Sequence, residues 1–329
     1  MSNILVTGAS GFLGKKVLEH LLEQGHSPIA LYKDYNRKTD KELFDRVTRK
    51  GAAIHGNILD RDLVRRIVSG YELDHIIHLA AIPVVKMCDA DPWTAYNVNV
   101  MGTMILMEAV RDEMIRNKRI QKIIHMSTDK SYGDSSPPGG YTEDTPFRVT
   151  DTYCTSKACG DMIAMSYAQT YKLPVCVVRC GNLYGSADLN LSRLIPGNIL
   201  RLLNGEQPVL YTDAAKMLRE LIHFSDLLSA YDLILVKGIP GEAYNIGTGE
   251  MHAIKDVIDL IRKKINPDIT IRMVQRSFFE ITEQSLNASK LNALGWEAKV
   301  GLSDGLDEAI DWYRNWLDMM NKEAVGVNK

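Results

Sequence analysis

The chain has 329 residues, 45% of them hydrophobic, which is enough to bury a large core in one α/β domain or in two packed lobes. Its 39 basic and 41 acidic residues are spread along the chain and give a formal net charge of −2, so the composition argues against nucleic acid or a membrane surface as a partner and favours a small-molecule substrate. No segment approaches 18 consecutive apolar residues and the N-terminal residues lack a signal-peptide layout, which predicts a cytoplasmic protein.

Short β-branched runs alternate with helical stretches through the first half of the chain. The segments in order are Asn3–Thr7, Phe12–Gln24, Pro28–Tyr32, Asp60–Val68, His75–Leu79, Trp93–Arg116, Lys122–Ser127, Thr155–Tyr171 and Val175–Arg179. This order of strand, helix and strand predicts an α/β fold with a doubly wound parallel sheet that helices cover on both faces. The charged stretch 34–50 is expected to form a solvated helix or loop at one edge of that sheet.

The domain boundary is predicted near residue 180, because proline and glycine interrupt shorter elements beyond it. The first domain takes residues 1–180, and residues 220–250 are expected to return to it. A smaller lobe that binds substrate is assigned residues 181–219 and 251–321.

The C-terminal region predicts an amphipathic helix from Asp304 to Leu317, whose aromatic residues are expected in the core, followed by a disordered tail at 322–329. The cysteines form neither a C-x-x-C pair nor a cluster with histidine at metal-ligand spacing. We expect no metal site and ordinary reduced thiols at Cys88, Cys154, Cys159, Cys176 and Cys180, with a catalytic role for Cys180 or Cys154 left open.

The glycine-rich segment from Thr7 to Gly14 follows the first strand and opens the first helix. Backbone N–H groups at such a helix start favour a pyrophosphate, and Gly8, Gly11 and Gly14 are expected to permit the turn, the close approach of phosphate and the packing of helix on strand. The segment therefore predicts dinucleotide binding. Its G-x-x-G-x-x-G spacing differs by one residue from the G-x-G-x-x-G fingerprint.

The residues that would contact the adenosine ribose follow the second strand, at Tyr32, Lys33 and Asp34, with Arg37 close behind. Asp34 suits a free ribose hydroxyl pair, whereas Lys33 and Arg37 suit a 2′-phosphate. We expect NAD, with NADP left open.

Tyr153 and Lys157 lie four residues apart at the start of a helix, so both side chains project from one face. The helix follows the strand that ends at Ser127 and Thr128, at the carboxyl edge of the sheet, where ligands of open α/β folds bind. A lysine cation beside a phenol lowers its pKa, which predicts Tyr153 as a catalytic base with Thr128 sharing the substrate proton.

At this point the chain resembles the extended short-chain dehydrogenase/reductase family, and within it enzymes that modify nucleotide sugars. The resemblance rests on ordered segments along nearly the whole chain: TGASGFLG, HLAA at 78–81, NVNVMGT at 97–103, STDKSYG at 127–133, YCTSK, RCGNLYG at 179–185, RELIHFSD at 219–226, YNIGTG at 244–249 and the LGWEAKVGLSDG region from 294. It implies a Rossmann-type cofactor domain and a mixed α/β C-terminal lobe that closes over a nucleoside diphosphate sugar. It also implies a homodimer, or a dimer of dimers, built on helices at about 93–116 and 153–171.

The resemblance also implies the sets of residues that contact ligands. Candidate cofactor contacts are Gly8, Ser10, Gly11, Phe12, Leu13, Gly14, Tyr32, Lys33, Asn57, Ile58, Leu79, Ala80, Ala81, Asn99, Tyr153 and Lys157. Candidate substrate contacts are Lys86, Asn182, Arg193, Leu194, Val209, Tyr211, Arg219 and Arg276. Arg219 and Asn182 are expected on the diphosphate, and residues 208–211 against the base. Lys86, placed in a loop, could instead be solvated, and so could Arg193 and Arg276.

Asp129 and Lys130 follow Thr128, where similar epimerases carry small or unreactive residues. An acid and a base beside oxidation machinery suit elimination, and the pair resembles nucleotide-sugar 4,6-dehydratases that act on CDP-glucose or, with inversion, on UDP-N-acetylglucosamine. The dTDP-glucose members carry Asp-Glu, so Lys130 argues against that substrate. The predicted product is a 4-keto-6-deoxy sugar from a CDP-, UDP- or GDP-hexose, formed with a tightly bound and recycled cofactor.

Two alternative functions remain open from the sequence. Asp129 and Lys130 could form a surface ion pair, in which case a 4-epimerase or a reductase would use Tyr153 and Thr128 alone. A non-catalytic dinucleotide sensor would need none of these side chains. His78 and His125 lie on apolar strands and are interpreted as hydrogen-bonded core histidines.

Overall fold

The computed structural model describes residues 1–117, 119–275 and 281–326. Its helices are α1 (Phe12–Glu23), α2 (Arg37–Lys50), α3 (Arg61–Gly70), α4 (Val85–Ala90), α5 (Pro92–Tyr96), α6 (Gly102–Arg116), α7 (Thr152–Tyr171), α8 (Leu194–Leu203), α9 (Phe224–Lys237), α10 (Ile254–Ile265), α11 (Ser289–Asn292) and α12 (Leu302–Gly326). Its strands are β1 (Asn3–Thr7), β2 (Ser27–Tyr32), β3 (Ala52–His55), β4 (His75–His78), β5 (Lys122–Met126), β6 (Val175–Cys180), β7 (Asn182–Tyr184), β8 (Val209–Tyr211), β9 (Leu218–Arg219), β10 (Leu221–His223), β11 (Ala243–Ile246), β12 (His252–Ala253), β13 (Arg272–Val274) and β14 (Glu283–Gln284).

Seven parallel strands form the main sheet in the order β11-β6-β5-β4-β1-β2-β3. The order reverses beside β1, which places the glycine-rich segment at the switch point where doubly wound sheets bind ligands. This architecture confirms the predicted α/β class and its Rossmann-type sheet. The edge strands β3 and β11 were not among the predicted elements, and β11 brings residues 243–246 back to the sheet beside β6.

The core has two layers, because alternate residues of each central strand face opposite sides of the sheet. Ile4 and Val6 of β1 pack with α1, α2 and α9, whereas Leu5 packs with α3, α6 and α7. Ile77 and Ile76 of β4 divide between the layers in the same way. The strands are therefore apolar on both faces, which explains the continuous apolar runs in the sequence.

The smaller lobe has its own core between α8, α10 and α12, with Ile199, Val257 and Leu306 at its centre. Trp312 and Trp316 stack with their ring centroids 6.2 Å apart and pack against this cluster, as expected for core aromatics. The last helix continues to Gly326, so the predicted disorder of 322–326 is wrong, since one more turn and a half of helix follows Asn321. Residues 327–329 lie outside the described residues.

Two short sheets join the lobe to the site. Strand β9 lies between β12 and β14, and β10 pairs with β7. No helix in the described part of the chain is both long enough and apolar enough to cross a membrane. The cytoplasmic location stays a prediction.

Candidate functional site

The glycine-rich turn is built from backbone that comes too close for side chains. Gly8 has φ +69°, and a Cβ there would lie 2.8 Å from backbone atoms of Leu79 and Ala80. A Cβ on Gly14 would overlap the carbonyl oxygen of Gly8. Gly11 caps α1, and its Cβ would meet only that same oxygen, at 3.3 Å. The first and third glycines therefore fix the shape of the loop. The first turn of α1 contains no acidic residue, so the start of this helix can bind the phosphate of a dinucleotide.

A buried hydrogen-bond network holds the segment that faces this turn. The Thr7 hydroxyl lies 2.7 Å from Nδ1 of His78 and accepts from the backbone N–H groups of Leu79 and Ala80, each at 3.2 Å. Nε2 of His78 lies 3.1 Å from the Thr103 hydroxyl. Burial lowers the pKa of His78 to about 3, so the ring is neutral. The interpretation of His78 as a hydrogen-bonded core histidine is confirmed.

His125 does not behave like its neighbour. Its ring lies 5.3 Å from that of His78, yet neither ring nitrogen has a hydrogen-bond partner among the residues described. Burial and the Lys157 cation hold its pKa well below the usual range. The interpretation of His125 as a hydrogen-bonded histidine is wrong, because β5 buries it between the sheet and α7, where no partner reaches it.

A pocket of about 280 Å³ lies between the glycine turn and the end of β2. Its walls include Ser10, Asp34 and Asn36, and Lys15 pairs with Asp40 at 3.1 Å on one side. Asp34 thus faces the space beside the turn, as a contact to ribose hydroxyls requires.

The two residues before Asp34 have other surroundings. The ring of Tyr32 packs on Phe44, with centroids 4.5 Å apart, and the Lys33 carbonyl lies 2.8 Å from Nε2 of His55. The placement of Asp34 favours NAD over NADP.

The other cofactor candidates lie around the same edge of the sheet. Oδ1 of Asn57 accepts from the Leu59 N–H at 3.1 Å, and Ile58 packs on Gly102. Asn99 lies in a π-helical turn between α5 and α6. Its side-chain oxygen accepts from the Ile82 N–H at 2.7 Å, and its side-chain nitrogen donates to the Ser156 hydroxyl at 2.8 Å. Asn99 therefore ties the loop after β4 to α7. Three cofactor candidates remain. Phe12 and Leu13 lie at the glycine turn, and Ala81 lies just after the end of β4.

The catalytic candidates meet where β5 ends and α7 begins. Helix α7 is capped by Asp151, whose carboxylate accepts from the Cys154 N–H at 2.8 Å, and Tyr153 lies in its first turn. The hydroxyls of Tyr153 and Thr128 are hydrogen bonded. One turn further along, Nζ of Lys157 donates to the carbonyl of Met126.

Burial dominates the acidity of these groups. It lowers the pKa of Lys157 to about 8, against the opposing carboxylate of Asp161. It raises the pKa of Tyr153 above its usual range, opposed by the Thr128 hydrogen bond. The expected lowering of the Tyr153 pKa by Lys157 is therefore wrong for the protein alone, because the loss of water around the phenol outweighs the hydrogen bond that favours its anion.

Asp129 is buried, with 4% of its surface exposed, in a 3₁₀ turn that runs from Asp129 to Tyr132. The Thr128 hydroxyl donates to its Oδ1 at 3.2 Å. Burial raises the pKa of Asp129 to about 6, against the cations of Lys130 and Arg219. The alternative that Asp129 forms an ion pair on the surface is therefore wrong. Its carboxyl group holds a proton at a pH where an exposed aspartate would not.

Arg219 is buried in β9, close enough to Asp129 for its charge to act on that carboxyl. Its guanidinium donates to the carbonyls of Leu218 at 2.8 Å and Thr282 at 3.3 Å, and also to that of Ile281. Asn182 donates to the Glu220 carbonyl at 3.4 Å. Contact of Arg219 and Asn182 with a diphosphate stays a prediction.

The remaining substrate candidates are dispersed around the lobe. Arg193 precedes α8, which Leu194 begins, and pairs with Asp188 at 3.0 Å. Val209 and Tyr211 belong to β8 and pair with β13. Lys86 lies exposed in α4, so its predicted placement in a loop is wrong, because the chain turns into a helix directly after Val84. Arg276 lies outside the described residues.

Comparison with known proteins places these features in one family. A profile of the NAD dependent epimerase/dehydratase family matches residues 4–247. The chain belongs to the NAD dependent epimerase/dehydratase family. A dTDP-glucose 4,6-dehydratase of Streptomyces antibioticus is 30% identical over 98% of this chain and 97% of its own length.

Solved structures of the epimerase/dehydratase family agree closely in fold. The dTDP-glucose 4,6-dehydratase of Bacillus anthracis in complex with NAD is 31% identical, covers 96% of this chain and 97% of its own, and has a TM-score of 0.85. The UDP-glucose 4-epimerase of Thermotoga maritima is 25% identical, covers 96% and 99%, and has a TM-score of 0.87. Since both activities share the fold equally well, the fold alone does not separate dehydratase from epimerase.

Two buried residues of this family member were not predicted from the sequence. Glu220 follows Arg219 and is 1% exposed, and its carboxylate accepts from the N–H groups of Gly249 at 2.8 Å and Leu286 at 3.0 Å. Gln284 is 1% exposed, pairs in register with Arg219, and has no partner for its amide among the residues described. The adjacency of Glu220 to Arg219 was a usable signal. Gln284 had none, because only the fold brings β14 beside β9.

The cysteines of this epimerase/dehydratase chain are all free thiols. Burial raises the pKa of Cys88, Cys154, Cys176 and Cys180, and the Cys154 thiol donates to Asp151 at 3.0 Å. These four thiols are therefore poor nucleophiles. The described part of the chain also holds no group of three or more His, Cys, Asp or Glu side chains that could bind a metal ion.

Proposed function

We propose that this enzyme is a nucleotide-sugar 4,6-dehydratase that converts CDP-glucose, UDP-N-acetylglucosamine or a GDP-hexose to the 4-keto-6-deoxy sugar. The observation that carries the proposal is Asp129, a buried carboxyl with a pKa raised to about 6, hydrogen bonded to the Thr128 that also contacts Tyr153. An epimerase needs the tyrosine and the threonine, but it has no use for a protonated acid beside them.

The residues present fit NAD. Gly8 and Gly14 form a turn that only glycine can fill, Asp34 faces the adjoining pocket, and Lys157 lies one helical turn after Tyr153. When bound, NAD would supply the hydride acceptor for oxidation at C4 and the hydride donor for reduction at C6. Because this cycle ends without net oxidation, a cofactor that stays bound and is recycled is sufficient.

Each proton transfer of the reaction is assigned to a different side chain. Tyr153 acts as its phenolate, which the positive charges of Lys157 and of a bound nicotinamide ring would favour. With Thr128 it takes the proton of the C4 hydroxyl as that carbon is oxidised to a ketone, which makes the C5 hydrogen acidic. Lys130, in its neutral form, takes the C5 proton while Asp129 gives its proton to the C6 hydroxyl, which leaves as water. A proton returns to C5 at the end, so the reaction loses one water and gains no other atom.

The proposed choice of nucleotide rests on Lys130, because the Asp129-Lys130 pair resembles one group of nucleotide-sugar 4,6-dehydratases. A lysine at this position is the pattern of the CDP-glucose and UDP-N-acetylglucosamine enzymes, whereas the dTDP-glucose enzymes carry glutamate. The relatives named dTDP-glucose 4,6-dehydratases are about 30% identical, a distance at which a nucleotide preference can change. We propose Arg219 and Asn182 as contacts to the diphosphate, and residues 208–211 as the wall against the base.

Proton NMR of a substrate panel tests the proposal. The purified enzyme would be incubated with CDP-, UDP-, GDP- and dTDP-hexoses, and we expect a new C6 methyl doublet with a 4-ketone from one of the first three. A changed C4 configuration with an intact hydroxymethyl group would replace the dehydratase with an epimerase. A methyl product from the dTDP-sugar alone would overturn the nucleotide assignment and leave the reaction standing.

We further propose a homodimer built on α5, α6 and α7. Trp93 is 79% exposed, Met162 54% and Met101 40%, which is unusual for large apolar side chains of a monomer. Light scattering during gel filtration would measure the assembly. We expect a dimer that Trp93→Glu and Met162→Glu together convert to a monomer, with Val236→Glu, on another exposed apolar residue, as the matched control.

A further inference from the structure

The 3₁₀ turn Asp129–Tyr132, which carries the proposed acid and base, is held at both of its ends. At its start, the Thr128 hydroxyl donates to the proposed acid at 3.2 Å. At its end, Tyr132 is completely buried. The Tyr132 hydroxyl donates to Oδ1 of Asn245 at 2.9 Å and accepts from Nη1 of Arg179, also at 2.9 Å. The proposed acid and base therefore lie between two anchored positions.

Arg179 of β6 connects the second of these anchors to helix α7. Its guanidinium forms a two-point ion pair with Asp161, in which Nε donates to Oδ2 at 2.8 Å and Nη2 donates to Oδ1 at 3.0 Å. Both side chains are buried, and a paired contact of this kind is strong and specific in geometry. Asp161 lies one helical turn after Lys157, and its charge opposes the effect of burial, which lowers the pKa of Lys157 to about 8. One cation thus bonds both the turn and the helix that carries the oxidation residues.

The chain between the turn and α7 does not by itself fix their separation. The segment 133–151 contains no helix or extended strand in the described structure. Arg179 also holds this segment, because its Nη1 donates to the carbonyl of Glu143 at 2.8 Å and its guanidinium lies 4.6 Å from the ring centroid of Phe147. A single side chain therefore contacts the turn, the helix and the segment that joins them.

We propose that Tyr132 and Arg179 are positioning residues of the elimination step, which hold the acid and the base of the turn at a fixed distance from the oxidation residues of α7. Elimination needs both groups around one substrate, because the ketone made at C4 activates the hydrogen at C5. A displacement of about 1 Å at a proton-transfer group lowers the rate by up to about 100-fold. Oxidation needs Tyr153 and Thr128, which the start of α7 and the end of β5 place without the Tyr132 hydroxyl. The inference rests on the proposed dehydration.

Tyr132→Phe tests the inference, because it removes one hydroxyl and keeps the ring that stacks on Tyr141 with centroids 5.1 Å apart. The cofactor-loaded enzyme would be mixed with its nucleotide sugar for a single turnover. Absorbance would follow the reduced cofactor, and proton NMR of quenched samples would follow the C6 methyl group. We expect cofactor reduction within about twofold of wild type and methyl formation about tenfold slower, so that the reduced cofactor accumulates between the two steps.

Tyr244→Phe is the matched control. Tyr244 is 1% exposed, and its hydroxyl accepts from the Ile239 N–H at 2.8 Å, before the amino end of β11. The variant loses a comparable buried hydrogen bond and should leave both half-reactions unchanged. Arg179→Lys provides a second test that keeps the Tyr132 hydroxyl. Lysine retains the buried charge but lacks the planar fork that bonds Asp161 and Tyr132 together, so we expect the same selective loss of elimination.

Equal losses of both half-reactions in Tyr132→Phe, or a loss of neither, would overturn the inference. An Arg179→Lys enzyme that forms the methyl group at the wild-type rate would also overturn it. Absence of a methyl product from the wild-type enzyme with every nucleotide sugar would instead overturn the proposed function.

Discussion

The glycine turn and the elimination site lie at the same edge of one sheet, yet they are built on different physics. The turn is a matter of space: Gly8 and Gly14 are required because backbone atoms occupy the places where side chains would go. The proposed elimination site is a matter of charge: Asp129 is buried where the loss of water disfavours its ion and raises its pKa. The first should respond to added volume at any pH, and the second to changes of charge that leave the shape unaltered.

The largest expected effect is on the elimination side. Asp129→Asn keeps the shape of the side chain and removes the proton donor, so we expect the substrate still to reduce the bound cofactor while methyl formation falls about 1,000-fold. Absorbance of the reduced cofactor and proton NMR measure the two half-reactions. Asp144→Asn, the same change at an exposed position, should alter neither. Loss of both half-reactions in Asp129→Asn would make Asp129 a structural residue.

A methyl group in the glycine turn should have the next largest effect. Gly14→Ala places its Cβ against the Gly8 carbonyl, and the displaced loop should lose about 100-fold in NAD affinity, equally at pH 6 and pH 8. Gly25→Ala is the control: its φ of +78° makes alanine strained, but no atom lies within 4 Å, so it should cost about 1 kcal/mol of stability and leave NAD affinity unchanged. Calorimetric titration of the two variants decides whether space governs the turn.

Stability should depend on pH through Asp129. Its folded pKa of about 6 lies above the usual value of 3.8, so the folded state holds this proton more tightly than the unfolded chain does. Ionisation of Asp129 therefore destabilises the folded state. This loss of folding free energy is absent below pH 3.8, grows as the pH rises toward 6, and reaches about 2 to 3 kcal/mol above pH 6. Denaturant unfolding should find Asp129→Asn more stable than wild type at pH 8, with the difference vanishing near pH 4. A variant less stable at pH 8 would contradict the burial cost.

The smallest expected effect is on stability, and it is measured by replacing two neighbouring histidines in turn. His78→Leu breaks the bonds to Thr7 and Thr103 and should cost about 1 to 3 kcal/mol. His125→Leu removes ring nitrogens that lack partners among the described residues, so it should be neutral or stabilising by up to about 1 kcal/mol. Thermal unfolding of both variants provides the measurement. An equal loss in both would imply that His125 bonds a water molecule or a bound ligand.

The sequence by itself determined the features that depend on neighbours along the chain. The five central strands of the sheet, the spacing of the glycines, and the placement of Tyr153 and Lys157 on one helical face follow from local periodicity and backbone sterics, whereas the edge strands β3 and β11 were missed. The adjacency of Thr128, Asp129 and Lys130 at a strand end indicated an acid and a base near the cofactor. The errors in the C-terminal tail and at Lys86 concern element ends, where local signals are weakest.

Only the tertiary structure decided what depends on distant segments. Whether Asp129 lies on the surface or in the interior is set by its approach to β9 and to the residues around Gly181, and that burial gives it a proton to donate. Gln284 reaches Arg219 only because β14 pairs with β9. Burial and charge coupling sum over many long-range contacts, so no local pattern in the sequence encodes them.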